Sequence, residues 1–274
     1  MSEETFTPDW LALREPMDHR SRSADLVTPL ADWLESRPSR RVLDLGSGTG
    51  SNLRYLAPRL PGEQQWTLVD RNAALLGRAT GAAVAVPEVA RVTKVSGELD
   101  PRGLALVAGA DLVTASALID LVTQEWLERL VAACRTAGNA VLLSLTWDGS
   151  MTWHDPDPDD ALVAEAVRNH QLRDKGMGPA LGPAAGAMAE RVFRSAGYDT
   201  QLRPSPWSLS VDDASLARAL VDGWAATATE ERPAESRLIQ DWAERRRATI
   251  ATQFELQVGH VDLMALPASP GAVR

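Results

Sequence analysis

Residues 41–50 read RVLDLGSGTG, and the next apolar run, QWTLVD, closes on Asp70. The first run has the length of a strand, halts in a glycine-rich turn, and gives way to a helical pattern at Ser51 and Asn52. A backbone of that kind brings a ligand against the free N–H groups of a helix start. Gly46 and Gly48 can take positive φ or admit an approach that a Cβ would block, and Gly50 lets the helix begin close to the strand. Asp70 falls at the tip of the second strand, where a carboxylate can accept both hydroxyls of a ribose. Together these residues make the first half of a nucleotide-binding βαβ unit.

Spacing separates the two cofactor classes that use such a unit. A dinucleotide fingerprint, G-x-G-x-x-G, needs its third glycine where Ser51 stands, so the fit to NAD is imperfect. Asp44, Gly46, Gly48 and Gly50 instead meet an apolar strand followed by D/E-x-G-x-G-x-G. The stretch resembles motif I of the class I, seven-strand, Rossmann-like S-adenosylmethionine methyltransferases. The resemblance is specific over about residues 40–150 and looser beyond them.

That resemblance implies an α/β fold: a Rossmann-like, seven-stranded, mostly parallel sheet flanked by helices, with an N-terminal helical cap and helical insertions. It implies S-adenosyl-L-methionine as cofactor and S-adenosyl-L-homocysteine as product. Asp44, Gly46, Ser47, Gly48, Asn52, Asp70 and Arg71 would surround the cofactor, with Asp44 near its amino-acid end. The loop after strand three would present an acid and a backbone N–H to the adenine; Glu98 with Leu99 is the first choice and Asp100 the second. Ala115 and Ser116, closing strand four, would lie under the methionine part. The N/D-P-P-Y/F that marks methylation of exocyclic base or amide nitrogens in this superfamily is missing there.

With 274 residues the chain suits one large α/β domain with insertions. The expected division is a cap over 1–38, a cofactor-binding core over 40–150, a substrate-side insertion over 151–183, and a final part over 184–274 with a helical insertion at 212–250. A net charge of −9 offers no basic field to phosphate backbones, so the expected partner is a small-molecule acceptor and not nucleic acid. The N-terminal MSEETFTPDW is acidic and polar, and no apolar run approaches membrane-spanning length, so a cytoplasmic monomer or homodimer is expected. The only cysteine, Cys134, sits among apolar neighbours and reads as a buried, inert thiol.

Further elements follow from periodicity: helical residues over 7–36 interrupted at Pro16 and Pro29, helices over 51–60, 73–79 and 123–137, and a sixth strand across YDTQLRPSPWSL. Leu216, Leu220, Trp224, Leu238 and Trp242 are the expected core-facing anchors of two late helices, and His260 is read as structural within an antiparallel last strand.

Three polar stretches remain. REPMDHRSRS, with Arg14, Asp18, His19, Arg20 and Arg22, is either a solvated helix face or a substrate anchor, for which His19 and Arg20 are the candidates. HDPDPDD, residues 154–160, reads as solvated carboxylates with no metal. NHQLRDKG falls just past strand five, on the catalytic rim of an open α/β sheet, and offers His170 and Asp174 as bases and Asn169 and Lys175 as substrate ligands. His170 reads equally as a helix-terminal histidine stabilised by the dipole, and Asp120 as a helix cap or a catalytic group. Trp153 is a candidate acceptor wall.

Methyl transfer from a sulfonium is an in-line displacement in which proximity and alignment carry much of the rate, and a base is needed only where the nucleophile must lose a proton. His170 is the first candidate for that base. Three rival readings stand beside this one: a cofactor-binding relative catalysing a non-methylating reaction, a protein or RNA methyltransferase, and an NAD(P) oxidoreductase.

Overall fold

The computed structural model describes residues 6–83 and 85–268. The first five residues of the acidic N-terminal stretch and the last six of the chain lie outside that description.

The apolar runs form the strands they predict. β1 (Arg41–Leu45), β2 (Gln64–Asp70), β4 (Leu112–Ser116) and the first half of β5 (Ala140–Trp153) run parallel, with β3 (Val89–Ser96) on the outer edge. β1 is buried at four of its five residues, the signature of a strand covered on both faces, whereas β3 exposes Arg91 and Lys94 along the edge. β8 (Leu256–Pro267) enters antiparallel to β5 and pairs on its other side with β6 (Tyr198–Pro204) and β7 (Trp207–Leu209). The order is β3-β2-β1-β4-β5-β8-β6, with β7 continuing the β6 edge. The expected sixth strand is therefore broken in two. Ser205 turns the chain at the break, its N–H donating to the His260 carbonyl at 2.8 Å and its Oγ to Asp262 at 2.7 Å. The seven-strand layout is kept, with its sixth strand in two pieces.

Helices cover both faces. α2 (Val27–Glu35), α3 (Ser51–Leu56) and α4 (Ala73–Ala83) pack one side, around Leu30, Leu53, Leu56 and Leu76. α5 (Gln124–Ala137) and α7 (Ala185–Ser195) pack the other, around Trp126, Leu130 and Phe193. Thr123 caps α5 by accepting the Trp126 N–H at 3.1 Å, and Gly138, at φ 71°, ends it. Asp120 is thus not the cap. Cys134 is fully buried in α5 and its thiol is pushed up to about 12 by burial, as an inert core residue should be.

A third apolar cluster, here called the cap because it reaches well beyond the N-terminal segment expected to form one, sits at the upper end of β5. It joins Met17 of α1 (Pro8–Ser21), the upper half of β5, α6 (Asp160–Gln171), β7, α8 (Ala214–Glu231) and α9 (Ser236–Ile250). α1 runs unbroken through Pro16 and stops only at Arg22. In α9 Trp242 is a buried anchor as expected, and its partner on the inner face is Ile239 in place of Leu238, which is exposed. The carboxylates of HDPDPDD face arginines: Asp157 and Asp159 pair with Arg245, and Asp160 with Arg246 and the Trp242 indole N–H. No described helix is long and apolar enough to cross a membrane.

Candidate active site

The glycine turn joins β1 to α3. Gly48 takes φ 51°, a region closed to most side chains, and aims its N–H at Asp70 Oδ2, 2.8 Å away. The other oxygen of Asp70 accepts the N–H of Asn72 at 2.8 Å. Each carboxylate oxygen keeps a second lone pair for an outside donor. Asp70 is thereby clamped between the turn and the start of α4, where Asn72 caps the helix through the N–H groups of Ala74 and Leu75. A Cβ on Gly50 would meet Ala79 Cβ at 3.0 Å and Ala79 Cα at 3.2 Å, so this glycine lets α3 approach α4. Ser47 is buried and turned toward the Val69 carbonyl.

Asp44 is wholly buried. Its Oδ1 accepts the Asn52 amide at 2.7 Å, and its Oδ2 has no hydrogen-bond partner among the described residues. Burial pushes the carboxyl up to about 7, opposed by the Asn52 bond and the nearby Arg22 charge and helped by Asp70. An orphaned buried carboxylate oxygen beside a glycine turn leaves an acceptor for a donor from outside the chain, and in that the residues present fit the amino-acid end of the implied cofactor. On the other side of Asp70, the Gly97 N–H reaches the Asp70 carbonyl at 3.1 Å, which sets Glu98, exposed, and Leu99, half-buried, near Asp70. Asp100, the second choice there, pairs with Arg129 of α5. Arg71 is exposed next to Asp70.

Ala115 is buried and Ser116 half-buried at the end of β4. Two non-glycine residues with positive φ meet just past them, Ala117 (φ 51°) and Leu145 (φ 53°). The Ala117 N–H donates to the Ser144 carbonyl at 2.9 Å, so the two bends lie on neighbouring strands. Both residues belong to the cap's apolar cluster. Such backbone strain persists where the surrounding packing over-determines it.

The structure brings some of the remaining candidates together and parts others. Asp120, buried, accepts the Gln171 amide at 3.0 Å, so the loop after β4 is tied to the end of α6. His170 sits there too, with Nδ1 3.3 Å from Lys175 Nζ and Nε2 3.7 Å from Glu230 Oε2. Asp174 is turned to its own loop, accepting the N–H groups of Gly176 and Gly178, which hold its carboxyl below the usual range. Asn169 is exposed one residue before His170. His19 bonds Ser51 through Nε2, at 3.0 Å from Oγ and 3.1 Å from the carbonyl oxygen, and so pins α1 to α3. Arg20 pairs with Asp213 at the surface. Trp153 packs in the cap against Phe254 and under the Arg246 guanidinium.

The sequence places Arg22 only within a polar stretch read as a solvated face or substrate anchor and does not point to Thr114 or Asp262, yet the three form one buried polar cluster with Asp44 and Asn52. A signal existed for the first of them. Arg14, Asp18 and Arg22 recur at i, i+4 and i+8, the spacing of one helix face. Arg14 and Asp18 do pair, at 2.9 and 3.1 Å, on the buried side of α1.

Compared with protein families, residues 42–139 match one described as a methyltransferase domain. These residues therefore carry a methyltransferase domain. No curated protein sequence matches it. Among solved structures, this methyltransferase resembles a cyclopropane-fatty-acyl-phospholipid synthase-like protein from Lactobacillus casei, with a TM-score of 0.56 at 14% identity over 97% of this chain and 96% of the other. A SAM-dependent methyltransferase from Geobacter sulfurreducens, solved with S-adenosyl-L-homocysteine, gives 0.48 at 18% identity over 96% and 99%. Its counterpart from Thiobacillus denitrificans, with the same ligand, gives 0.47 at 17% over 95% and 99%. The Lactobacillus protein shares the fold of this methyltransferase over nearly its whole length.

Proposed function

We propose that this methyltransferase acts in the cytoplasm on a small-molecule acceptor, at oxygen, nitrogen or carbon, held between the carboxyl ends of β4 and β5 and the cap. One observation carries the reading: the cap's apolar cluster reaches down to Ala117 and Leu145, so the chain's own helices roof the ends of both strands. A roof of that kind suits a compact acceptor better than a polymer. The net charge of −9 argues the same way against a phosphate backbone.

In this reading Asp44 receives the ammonium of the cofactor, Asp70 its ribose hydroxyls, and Glu98 with Leu99 its adenine, above a floor of Ala115 and Ser116. S-adenosylmethionine supplies the electrophilic methyl group. The chain aligns the acceptor, excludes water, and takes a proton where the acceptor has one to lose. His170 is the candidate for that last task by its place at the rim, and it can take a proton only after Lys175, 3.3 Å from Nδ1, or Glu230, 3.7 Å from Nε2, gives way to the acceptor. Asp120 and Gln171 orient the same corner. Asp174, its carboxyl stabilised as the anion by backbone N–H groups, is the weaker base.

The test is S-adenosylhomocysteine release with a panel of small phenols, amines and carboxylic acids, run beside RNA and protein substrates. Turnover confined to small acceptors is expected; methyl label found only in RNA or protein would overturn the acceptor class. With a working acceptor, His170→Ala lowers the maximal rate and leaves S-adenosylhomocysteine affinity intact. An unchanged rate removes His170 from the mechanism.

A further inference from the structure

Arg22 follows the last turn of α1 and is an arginine with almost no surface, 7% of the residue reaching solvent. Its Nη1 donates to Asn52 Oδ1 at 3.0 Å, its Nε lies 3.8 Å from Asp262 Oδ2, and its guanidinium stacks 4.5 Å from the centre of the Tyr55 ring. Nη2 is buried with no hydrogen-bond partner among the described residues. A guanidinium cannot shed its charge, so its burial has to be offset by carboxylates. Asp262 is one, held on β8 by the Leu145 N–H, the Ser205 hydroxyl and the Ser23 N–H. Asp18 on α1 and Asp44, across Asn52, are the others.

The amide of Asn52 explains the arrangement. Its oxygen has to face a donor and its nitrogen an acceptor. With Arg22 on the oxygen, Nδ2 is left to donate to Asp44 Oδ1 and, at 3.1 Å, to Thr114 Oγ1, whose own hydroxyl proton goes to the Leu142 carbonyl. The chain of contacts from Asp262 therefore ends on the one carboxylate of the glycine turn that keeps a buried oxygen unused.

We propose that Arg22 is a positioning residue of the cofactor site: anchored on Asp262, it fixes the Asn52 amide and holds Asp44 as the carboxylate that receives the ammonium group of S-adenosylmethionine. This rests on reading the glycine turn as the cofactor site. The groups that face Asp44 are Arg22 from the α1–α2 connection, Asn52 from α3, Thr114 from β4 and the charge of Asp70 from β2. Arg22 is the only cation among them. Burial already lifts the Asp44 carboxyl to about 7, so without the guanidinium it lifts further and the carboxylate is lost at neutral pH.

The experiment needs no methyl acceptor. Binding of S-adenosylhomocysteine is measured by calorimetry from pH 6 to 8.5 for the wild type, Arg22→Gln and Arg22→Lys, with the surface variant Arg41→Gln as control. Wild-type affinity should rise with pH and level off. Arg22→Gln should bind about tenfold more weakly for each unit by which the Asp44 midpoint rises, and recover toward high pH. Arg22→Lys, which keeps the charge and loses the fork, should keep the wild-type midpoint at reduced affinity, and it serves alone should the glutamine variant fail to fold. A pH profile parallel to the wild type in Arg22→Gln, or a midpoint in Arg22→Lys displaced upward, overturns the role of Arg22. Failure of the wild type to bind at any pH would instead remove the cofactor reading on which it rests.

Discussion

His19 on α1 and Ser51, the first residue of α3, are joined through one imidazole nitrogen, which lies 3.0 Å from the Ser51 hydroxyl and 3.1 Å from its carbonyl. Glu15, one turn earlier, pairs with Arg54, whose guanidinium also donates to the Thr49 carbonyl of the glycine turn at 2.6 Å. α1 is thus fastened along the edge of the cofactor loop. Loss of a hydrogen bond of this kind is worth about 1 kcal/mol, roughly a fivefold change in an equilibrium. His19→Ala should raise the dissociation constant for S-adenosylhomocysteine by about that factor. A change in acceptor KM with cofactor affinity intact would return His19 to a substrate-binding role.

Gly50→Ala tests how tightly α3 is set against α4. The added Cβ would sit in a backbone at φ 79° and within 3.2 Å of the Ala79 Cα, a contact the chain relieves only by moving a helix. A left-handed non-glycine residue costs about 1–3 kcal/mol before any clash is counted. The variant should melt several degrees lower and bind S-adenosylhomocysteine more weakly. An unchanged melting temperature would show that the two helices separate freely.

Two buried groups give stability opposite dependences on pH. Asp44 rises from 3.8 in the open chain to about 7 when folded, chiefly through burial, so the folded state binds more protons in between and loses stability as pH rises through that window. His260, buried against Trp207 and near the Arg14 charge, falls from 6.5 to about 3, so the unfolded chain binds more protons there and stability is lost as pH falls below 6.5. Asp44→Asn should therefore gain melting temperature over the wild type by a margin that widens from pH 5 to pH 8, while cofactor binding suffers. An equal margin at both values would count against burial as the cause.

Asp157, Asp159 and Asp160 meet Arg245 and Arg246, and Arg246 also donates to the Asp155 carbonyl and stacks on Trp153. Arg246→Ala leaves Asp160 with only the Trp242 indole and the Asp157 N–H and opens space under the Trp153 ring, a loss of about 1.5–3 kcal/mol. Denaturant unfolding would measure it. Magnesium, calcium or a chelator should leave the melting temperature unmoved; a rise of several degrees with a divalent ion would show that these carboxylates hold a metal.

The cofactor half of the molecule was legible because the strands there are apolar on both faces and the turn between them needs particular residues. RVLDLGSGTG and Asp70 could be read one residue at a time. The cap was less legible, and for a definite reason. Its inner faces carry buried arginines, Arg22 after α1 and Arg246 in α9, and polarity alone assigns an arginine to the solvent side. Only the partners, Asp262 and Asp160, make burial tolerable, and they lie far away in sequence. Leu238 and Ile239 differ by one residue in phase, which composition cannot resolve. The break at Ser205 depends on bonds to β8 that no local pattern announces.

The roof over the proposed acceptor site draws on α1, α6, β7, α8 and α9, and shares one apolar cluster with the upper ends of β5 and β8, strands that lower down complete the central sheet. Acceptor preference in such a protein does not travel as a cassette. A contiguous segment exchanged with a relative would carry one panel of the roof and leave its neighbours mismatched, with β5 and β8 asked to fit two partners at once. New preferences are more accessible through single changes on the cap's inner surface, each made against a frame that stays whole.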